Sequence, residues 1–169
     1  MKTFERIVAA TDFSPASQPA LDEAERIARE GGSRLLILHA YEIPALAPMT
    51  YAPASVCEDF QRAVRANGEK RLDMLVANAR SRGIDAQGLL REGIADEEIL
   101  DAAEREKADL IVMGTHGRRG PSRVLMGSVA SRVVSRSPCP VMTVRAGPSP
   151  RSLGSRSSPM RGRVASPPS

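Results

Sequence analysis

The residues best placed to do chemistry lie between Leu110 and Pro140, in the run LIVMGTHGRRGPSRVLMGSVASRVVSRSPCP. An apolar stretch ends at Met113, glycines follow at 114, 117 and 120, and a helical pattern starts at Gly127 and Ser128. Glycines leave room for main-chain amides to approach an anion. The unpaired amides of Ser128, Val129 and Ala130 at a helix start would meet that anion along the favourable end of the helix dipole. One charge at such a terminus gains roughly 0.3–1 kcal/mol when exposed, so useful phosphate affinity needs several converging amides, with the Ser128 hydroxyl as a further donor. The same glycines equally suit a tight turn at Gly114 and Gly117 and close helix packing at Gly127. Spacing alone leaves both readings open.

Better-known nucleotide and hydrolase signatures fail on spacing. No GxxxxGK[ST] phosphate loop occurs, and GTHGRRG gives G-x-x-G-x-x-G in place of the dinucleotide GxGxxG. No serine sits in a GxSxG elbow with plausible partners, since the two histidines are His39 and His116. Cys57 and Cys139 belong to no CxxC or Cys/His ligand pattern, have no neighbouring histidine, and read as inert thiols of a reducing compartment.

The elements that must position this loop follow from the apolar pattern. Strands are predicted at Phe4–Ala10, Arg34–Tyr41, Ile84–Glu92, Asp109–Gly114 and Pro140–Arg145. RIVAA, LLIL, DLIVMG and PVMTV are nearly continuous in apolar character, as parallel strands covered on both faces require. Between the first two, Ala16, Ala20, Leu21, Ala24, Ile27 and Ala28 share a helical face, with Ser14 as the cap candidate, Pro15 in the first turn and Gly31 at the far end. A second helix is predicted from about Ala54 to Ser81, with Gly68 on its apolar stripe marking a close contact or a bend. A third spans about Ala95–Lys107, with Asp96, Glu97 and Glu98 in its first turn, where acids complement the dipole. The fourth begins near Gly127 and buries Ala130, Val133 and Val134. Strands alternating with helices predict an α/β fold, an open parallel sheet with helices on both faces and right-handed crossovers. Ligands in such sheets bind beyond the carboxyl ends of the strands, where the strand order reverses, which is where the glycine loop falls.

Composition narrows the functional classes. At 169 residues, with 41% hydrophobic and 26% charged residues, the chain reads as one globular domain. Residues 147–169 hold five prolines, seven serines, four arginines and no acid, and read as a disordered tail beyond a domain at 1–146. Without those four arginines, twenty basic side chains balance twenty acidic ones, so the pI near 9.6 comes from the tail and argues against sequence-specific nucleic-acid binding. Aromatic residues at 3%, with no Trp, argue against stacking platforms for single strands. Glu5, Arg6 and Asp12 interrupt the first apolar run, and no stretch of about eighteen apolar residues occurs, so neither a signal peptide nor a membrane span is expected and a cytoplasmic location follows. The proline-bearing stretch 42–53 reads as a surface loop.

Gly114, Gly117, Gly127 and Ser128 match G-x2-G-x9-G-[ST], the spacing of the ATP-binding subgroup of the universal stress protein family. The chain resembles that family over about residues 2–146 through VAATDFSPAS, LLILHA, DLIVMGTHGR and GSVASRVVSRSPCPVMTVR. The resemblance implies a Rossmann-like fold of the adenine nucleotide α-hydrolase type with strand order 3-2-1-4-5, and pairing as a homodimer through the last strand. It puts adenine beside Thr11, Asp12 and Ala40 with Met113 closing one side. Gly114 and Gly117 would line ribose and phosphates, while Gly127, Ser128, Val129 and Ala130 hold the triphosphate. If Mg²⁺ accompanies ATP, Asp12 is the carboxylate to contact it directly or through water; the alternative is that Asp12 caps the first helix or its loop. His116 could donate to a phosphate but reads first as a turn residue, His39 as a structural ring bonded to backbone, and Arg118, Arg119 and Arg123 as candidate clamps over the phosphates.

The function implied is an ATP-binding regulator or sensor in stress physiology, acting on an unidentified protein partner. With no phosphate-loop lysine and no assured general base, it is expected to hydrolyse ATP slowly if at all. A nucleotide-independent dimeric module of the same fold is the alternative, and an adenylating or phosphate-cleaving enzyme the third, although the chain lacks the SGGxDS pyrophosphate pattern of such enzymes.

Overall fold

A computed structural model describes residues 4–43, 54–115 and 126–146. Five strands, β1 (Arg6–Ala10), β2 (Arg34–Tyr41), β3 (Ala86–Glu92), β4 (Leu110–Gly114) and β5 (Val141–Val144), form one parallel sheet in the order β3-β2-β1-β4-β5. The helices are α1 (Gln18–Gly31), α2 (Ala54–Ser81), α3 (Ala95–Arg105) and α4 (Ser128–Arg136).

Period-2 alternation splits the strands between two cores. Ile7, Ala9, Leu35, Ile37, Leu110 and Val112 face α1 and α2, meeting Leu21, Ala24, Leu72 and Val76. Val8, Leu36, Leu38, Ile111 and Met113 face α3 and α4, meeting Ile99, Ala102, Ala130 and Val133. Both faces are therefore dry, and the strands can be apolar at successive positions. Register fixes the ends: Ala10 lies opposite Leu38 on one side and Met113 on the other. The chain runs outward from β1 through β2 to β3, then returns to place β4 on the far side of β1. The order reverses between the carboxyl ends of β1 and β4.

Local chemistry corrects several expected details. Helix α1 starts later than Ser14-Pro15 suggests: Ser17 is its N-cap residue and Pro19 occupies the first turn. Both Ser-Pro-containing stretches fit a helix start, but the Ser14 hydroxyl accepts the Ser17 amide (3.3 Å) in a turn before the helix. At the other end Gly32, with φ of 68°, adopts the left-handed conformation and closes the helix, its amide bonded to Ala28 O, while Gly31 is the last helical residue. Strand β3 begins at Ala86; Ile84, two residues earlier, is buried in the same core. Helix α3 ends at Arg105, two residues short of Lys107. On α4, Ala130 and Val133 are buried as expected in the core with Val8, Ile111 and Met113, but Val134 lies off that face of the nine-residue helix and is 45% exposed. The strands at Phe4 and Asp109 each start two and one residues late, and Pro140 and Arg145 flank β5 outside it.

Asp96 ties the two helices of that face together. It is 2% exposed in the first turn of α3 and accepts a hydrogen bond from Arg132 Nη1 (3.2 Å), with Arg136 Nη1 at 3.7 Å. Arg132 and Arg136 both lie on α4, so the carboxylate anchors the helix that starts at Ser128.

Candidate functional site

A cleft of about 900 Å³ opens over the carboxyl ends of β1, β2 and β4, at the reversal of strand order. Among the described residues its walls include Thr11, Asp12, Ala40, Met113, Gly114, Gly127, Ser128, Val129 and Ala130. These nine come from four separate stretches of sequence. Gly117, His116, Arg118, Arg119 and Arg123 lie outside the described residues, as do 44–53 and the tail 147–169.

The wall formed by the β1–α1 loop is a hydrogen-bonded network. The Ser17 hydroxyl donates to Ser14 O (2.9 Å), so across the 3.0 Å contact with Thr11 it accepts, and the Thr11 hydroxyl is the donor. Thr11 Oγ1 in turn accepts the Phe13 amide (3.0 Å). The Ser17 side chain is thus committed to the loop and gives α1 no cap bond. Asp12 Oδ1 accepts the Ser14 amide (2.9 Å), the turn-forming role expected as one of its two functions. Asp12 also lines the cleft.

His39 takes the structural part expected of it. Its Nδ1 lies 2.8 Å from the Thr11 carbonyl, which can only accept, so the proton sits on Nδ1. The ring also packs on Phe13, with centroids 4.1 Å apart. Phe13 has φ of 60°, uncommon for a bulky side chain.

The opposite wall is the start of α4. Gly127 is its N-cap residue, extended at φ −61° and ψ 156°, with no side chain to cap the helix. Its amide donates to Thr115 O (2.8 Å), and the Thr115 amide donates to Val144 O (3.0 Å), so the two ends of the glycine loop are pinned to each other and to β5. The amides of Ser128, Val129 and Ala130 stand in the first turn, where a helix has no intrahelical acceptor to give them. Their positive end of the dipole opens onto the cleft.

Sequence reasoning missed the third wall. Phe60, Val64, Asn67, Gly68 and Arg71 of α2 line the cleft, as do Tyr41 at the end of β2, Glu42 just after it, and Ala95 and Ile99 of α3. Their signal was present as a helical stripe, but periodicity does not separate a face on the sheet from one that overhangs it. Gly68 resolves as a close contact: a Cβ there would lie 3.0 Å from Leu90 Cδ1 and 3.9 Å from the His39 ring. The charged side chains among the described lining residues are Asp12, Glu42 and Arg71. Burial, reinforced by the Glu92 carboxylate (Oε2 3.3 Å away), pushes the Tyr41 phenol above its ordinary pKa and keeps it a neutral donor.

No group of three metal-ligating side chains occurs among the described residues. A magnesium ion here would rely on phosphate oxygens, with Asp12, one of two carboxylates in the described lining, as the candidate protein contact. Away from the cleft, burial raises the Cys139 thiol pKa, consistent with an inert thiol. No described helix is long and apolar enough to cross a membrane.

An open parallel sheet of order β3-β2-β1-β4-β5 with a cleft at its switch point defines the Rossmann-like α/β class. The chain belongs to the universal stress protein family, whose model matches residues 3–145. It is 34% identical over 143 residues to Universal stress protein MJ0531 of Methanocaldococcus jannaschii, covering 84% of this chain and 82% of that one. Among solved structures it is similar to the universal stress protein UspA of Lactobacillus plantarum, with a TM-score of 0.74 at 28% identity, over 86% of this chain and 100% of the other. It is also similar to a universal stress protein in complex with cAMP, with a TM-score of 0.61 at 26% identity over 86% and 100% of the two chains.

Proposed function

We propose that the chain is an ATP-binding regulator or sensor in stress physiology, its cleft holding the nucleotide with adenine toward Thr11, Asp12, Ala40 and Met113 and the phosphates toward Gly114, Gly127, Ser128, Val129 and Ala130. The observation that carries this reading is the uncapped start of α4, three amides with no intrahelical acceptor, opening into a cleft whose inner end is lined by apolar Ala10, Leu38, Ala40 and Met113. An anionic group and a flat apolar ring joined in one molecule suit those two ends. The likeness to a family member solved with cAMP supports an adenine nucleotide as the ligand class.

If magnesium accompanies the phosphates, Asp12 would contact it directly or through water. Occupancy acts by ordering the cleft walls and shifting the population that a protein partner recognises. Hydrolysis is slow or absent, since the described lining holds no lysine and its one imidazole, His39, is committed through Nδ1 to a main-chain carbonyl. The protein works in the cytoplasm as a homodimer joined through β5, an edge strand whose four residues are all half-buried in the single chain.

Mass spectrometry of small molecules released from the purified protein tests the reading, with calorimetry on added ATP and magnesium as its quantitative arm. ATP or a related adenine nucleotide is expected in the wild-type eluate and absent from that of Gly127→Val. A clean eluate together with no heat at millimolar ATP would leave a nucleotide-independent module as the better description.

A further inference from the structure

We propose that Arg71 is a positioning residue of the cleft, a clamp from α2 that holds the β1–α1 loop in its ligand-ready form by securing Phe13 in the left-handed backbone conformation. Phe13 has φ of 60°, a region where an L side chain is disfavoured and where only surrounding contacts keep it. Arg71 supplies two such contacts at once. Its Nη2 donates to the Phe13 carbonyl (3.1 Å), and its guanidinium carbon lies 4.3 Å from the centroid of the Phe13 ring. The planar, always charged guanidinium satisfies both geometries together, which an ammonium does less well.

The ring also meets His39, whose centroid is 4.1 Å away and whose Nδ1 is bonded to Thr11 O. The Phe13 ring is therefore in contact with both an imidazole fixed on β2 and a guanidinium carried by α2. Helix α2 can come this close because Gly68, one turn before Arg71, leaves no Cβ against Leu90. Phe13 follows Asp12 directly, and its backbone conformation sets the turn in which Asp12 Oδ1 accepts the Ser14 amide. Release of Phe13 would free that turn and move the Asp12 carboxylate, although Arg71 itself lies on another element.

The clamp is needed because residue 13 is phenylalanine; glycine adopts a positive φ without help. A double-mutant cycle isolates this dependence. Arg71→Met keeps the aliphatic stem packed while removing the donor and the charge. If the clamp's loss leaves about one molecule in five with the loop in place, apparent affinity for ATP with magnesium falls about fivefold. In a Phe13→Gly background the same substitution is expected to change affinity less than twofold, because the clamp has nothing left to hold. Since this readout rests on the nucleotide reading above, the exchange rate of the Ser14 amide is measured in ligand-free protein as well. It should rise by at least about fivefold in Arg71→Met, since the open fraction grows from a minor one to about four in five, and respond less than twofold to that change beside Phe13→Gly.

Equal losses of affinity in both backgrounds would show Arg71 touching the nucleotide directly and would overturn the clamp, as would Ser14 exchange indifferent to Arg71→Met in folded protein. Protein that binds no ATP yet shows the expected exchange pattern would remove the nucleotide reading and leave the clamp standing.

Discussion

Replacing Ser128 by proline separates the α4 amides from the stability of the helix that carries them. Ser128 is the first residue of α4, and its amide has no intrahelical acceptor, so proline there removes a donor the helix does not use. The residue before a proline must be extended, and Gly127 already is, at φ −61° and ψ 156°. Folding stability should change little, within about 1 kcal/mol, and can rise because proline restricts the unfolded chain. Ligand affinity should not escape. A hydrogen bond to a charged acceptor contributes about 1.5–3 kcal/mol, which corresponds to a loss of roughly 10- to 150-fold in Kd for one phosphate contact. Ser128→Ala is the reference, since it deletes the hydroxyl and keeps the amide; the ratio of the two variants reports the amide alone. Calorimetric titration with ATP and magnesium, alongside thermal melts of each variant, makes the comparison. A proline variant that melts like wild type and binds as tightly as Ser128→Ala would refute the assignment of the phosphates to this helix start.

Three further expectations concern parts of the molecule with distinct roles. Asp96→Ala removes the buried carboxylate that draws Arg132 and Arg136 of α4 toward α3; because both arginines reach solvent and are not left buried, the loss should be about 1–2 kcal/mol, read as a melting temperature lower by a few degrees. Burial raises the Cys139 pKa, so the thiolate fraction at pH 8 is smaller than in a free peptide, and alkylation by iodoacetamide followed by peptide mass spectrometry should be slower at Cys139 than at a peptide thiol; equal rates would contradict its inertness. Truncation after Ala146 should leave both the melting temperature and ATP affinity unchanged within error, since the family match ends at residue 145; a large loss of either would assign residues 147–169 to the working unit.

The sheet was legible because its strands are covered on both sides. RIVAA, LLIL and DLIVMG carry no polar interruption, and only parallel strands between two helical layers tolerate that. Element ends were less legible, since neighbouring residues competed for the same role. Ser14 and Ser17 both precede a proline in the same stretch, and the outcome depends on Thr11, six residues before Ser17, which draws the Ser17 hydroxyl into the loop network. Gly31 and Gly32 compete likewise, and only the backbone shows which one turns left-handed. Val134 shares the spacing of buried residues but lies off the face of α4 that meets the core.

For the site, the glycine-and-serine spacing pointed to the start of α4, and the family resemblance pointed to Thr11, Asp12, Ala40 and Met113; the fold gathers these around one cleft. The α2 wall stayed hidden because Phe60, Val64, Gly68 and Arg71 recur at helical spacing whether they meet the sheet or overhang its end. The stack of Arg71, Phe13 and His39 had no sequence signal at all. It joins residues from α2, the β1–α1 loop and β2, and phenylalanine is not a residue type that announces a positive φ.

Nuclear magnetic resonance of ¹⁵N-labelled protein titrated with ATP and magnesium tests the cleft as the nucleotide site most directly. Shifts concentrated at the amides of Ser128, Val129 and Ala130, joined by those of Thr11, Asp12 and Ala40, are the predicted result. A spectrum unchanged at millimolar ATP, or changes confined to residues away from the cleft, would contradict it.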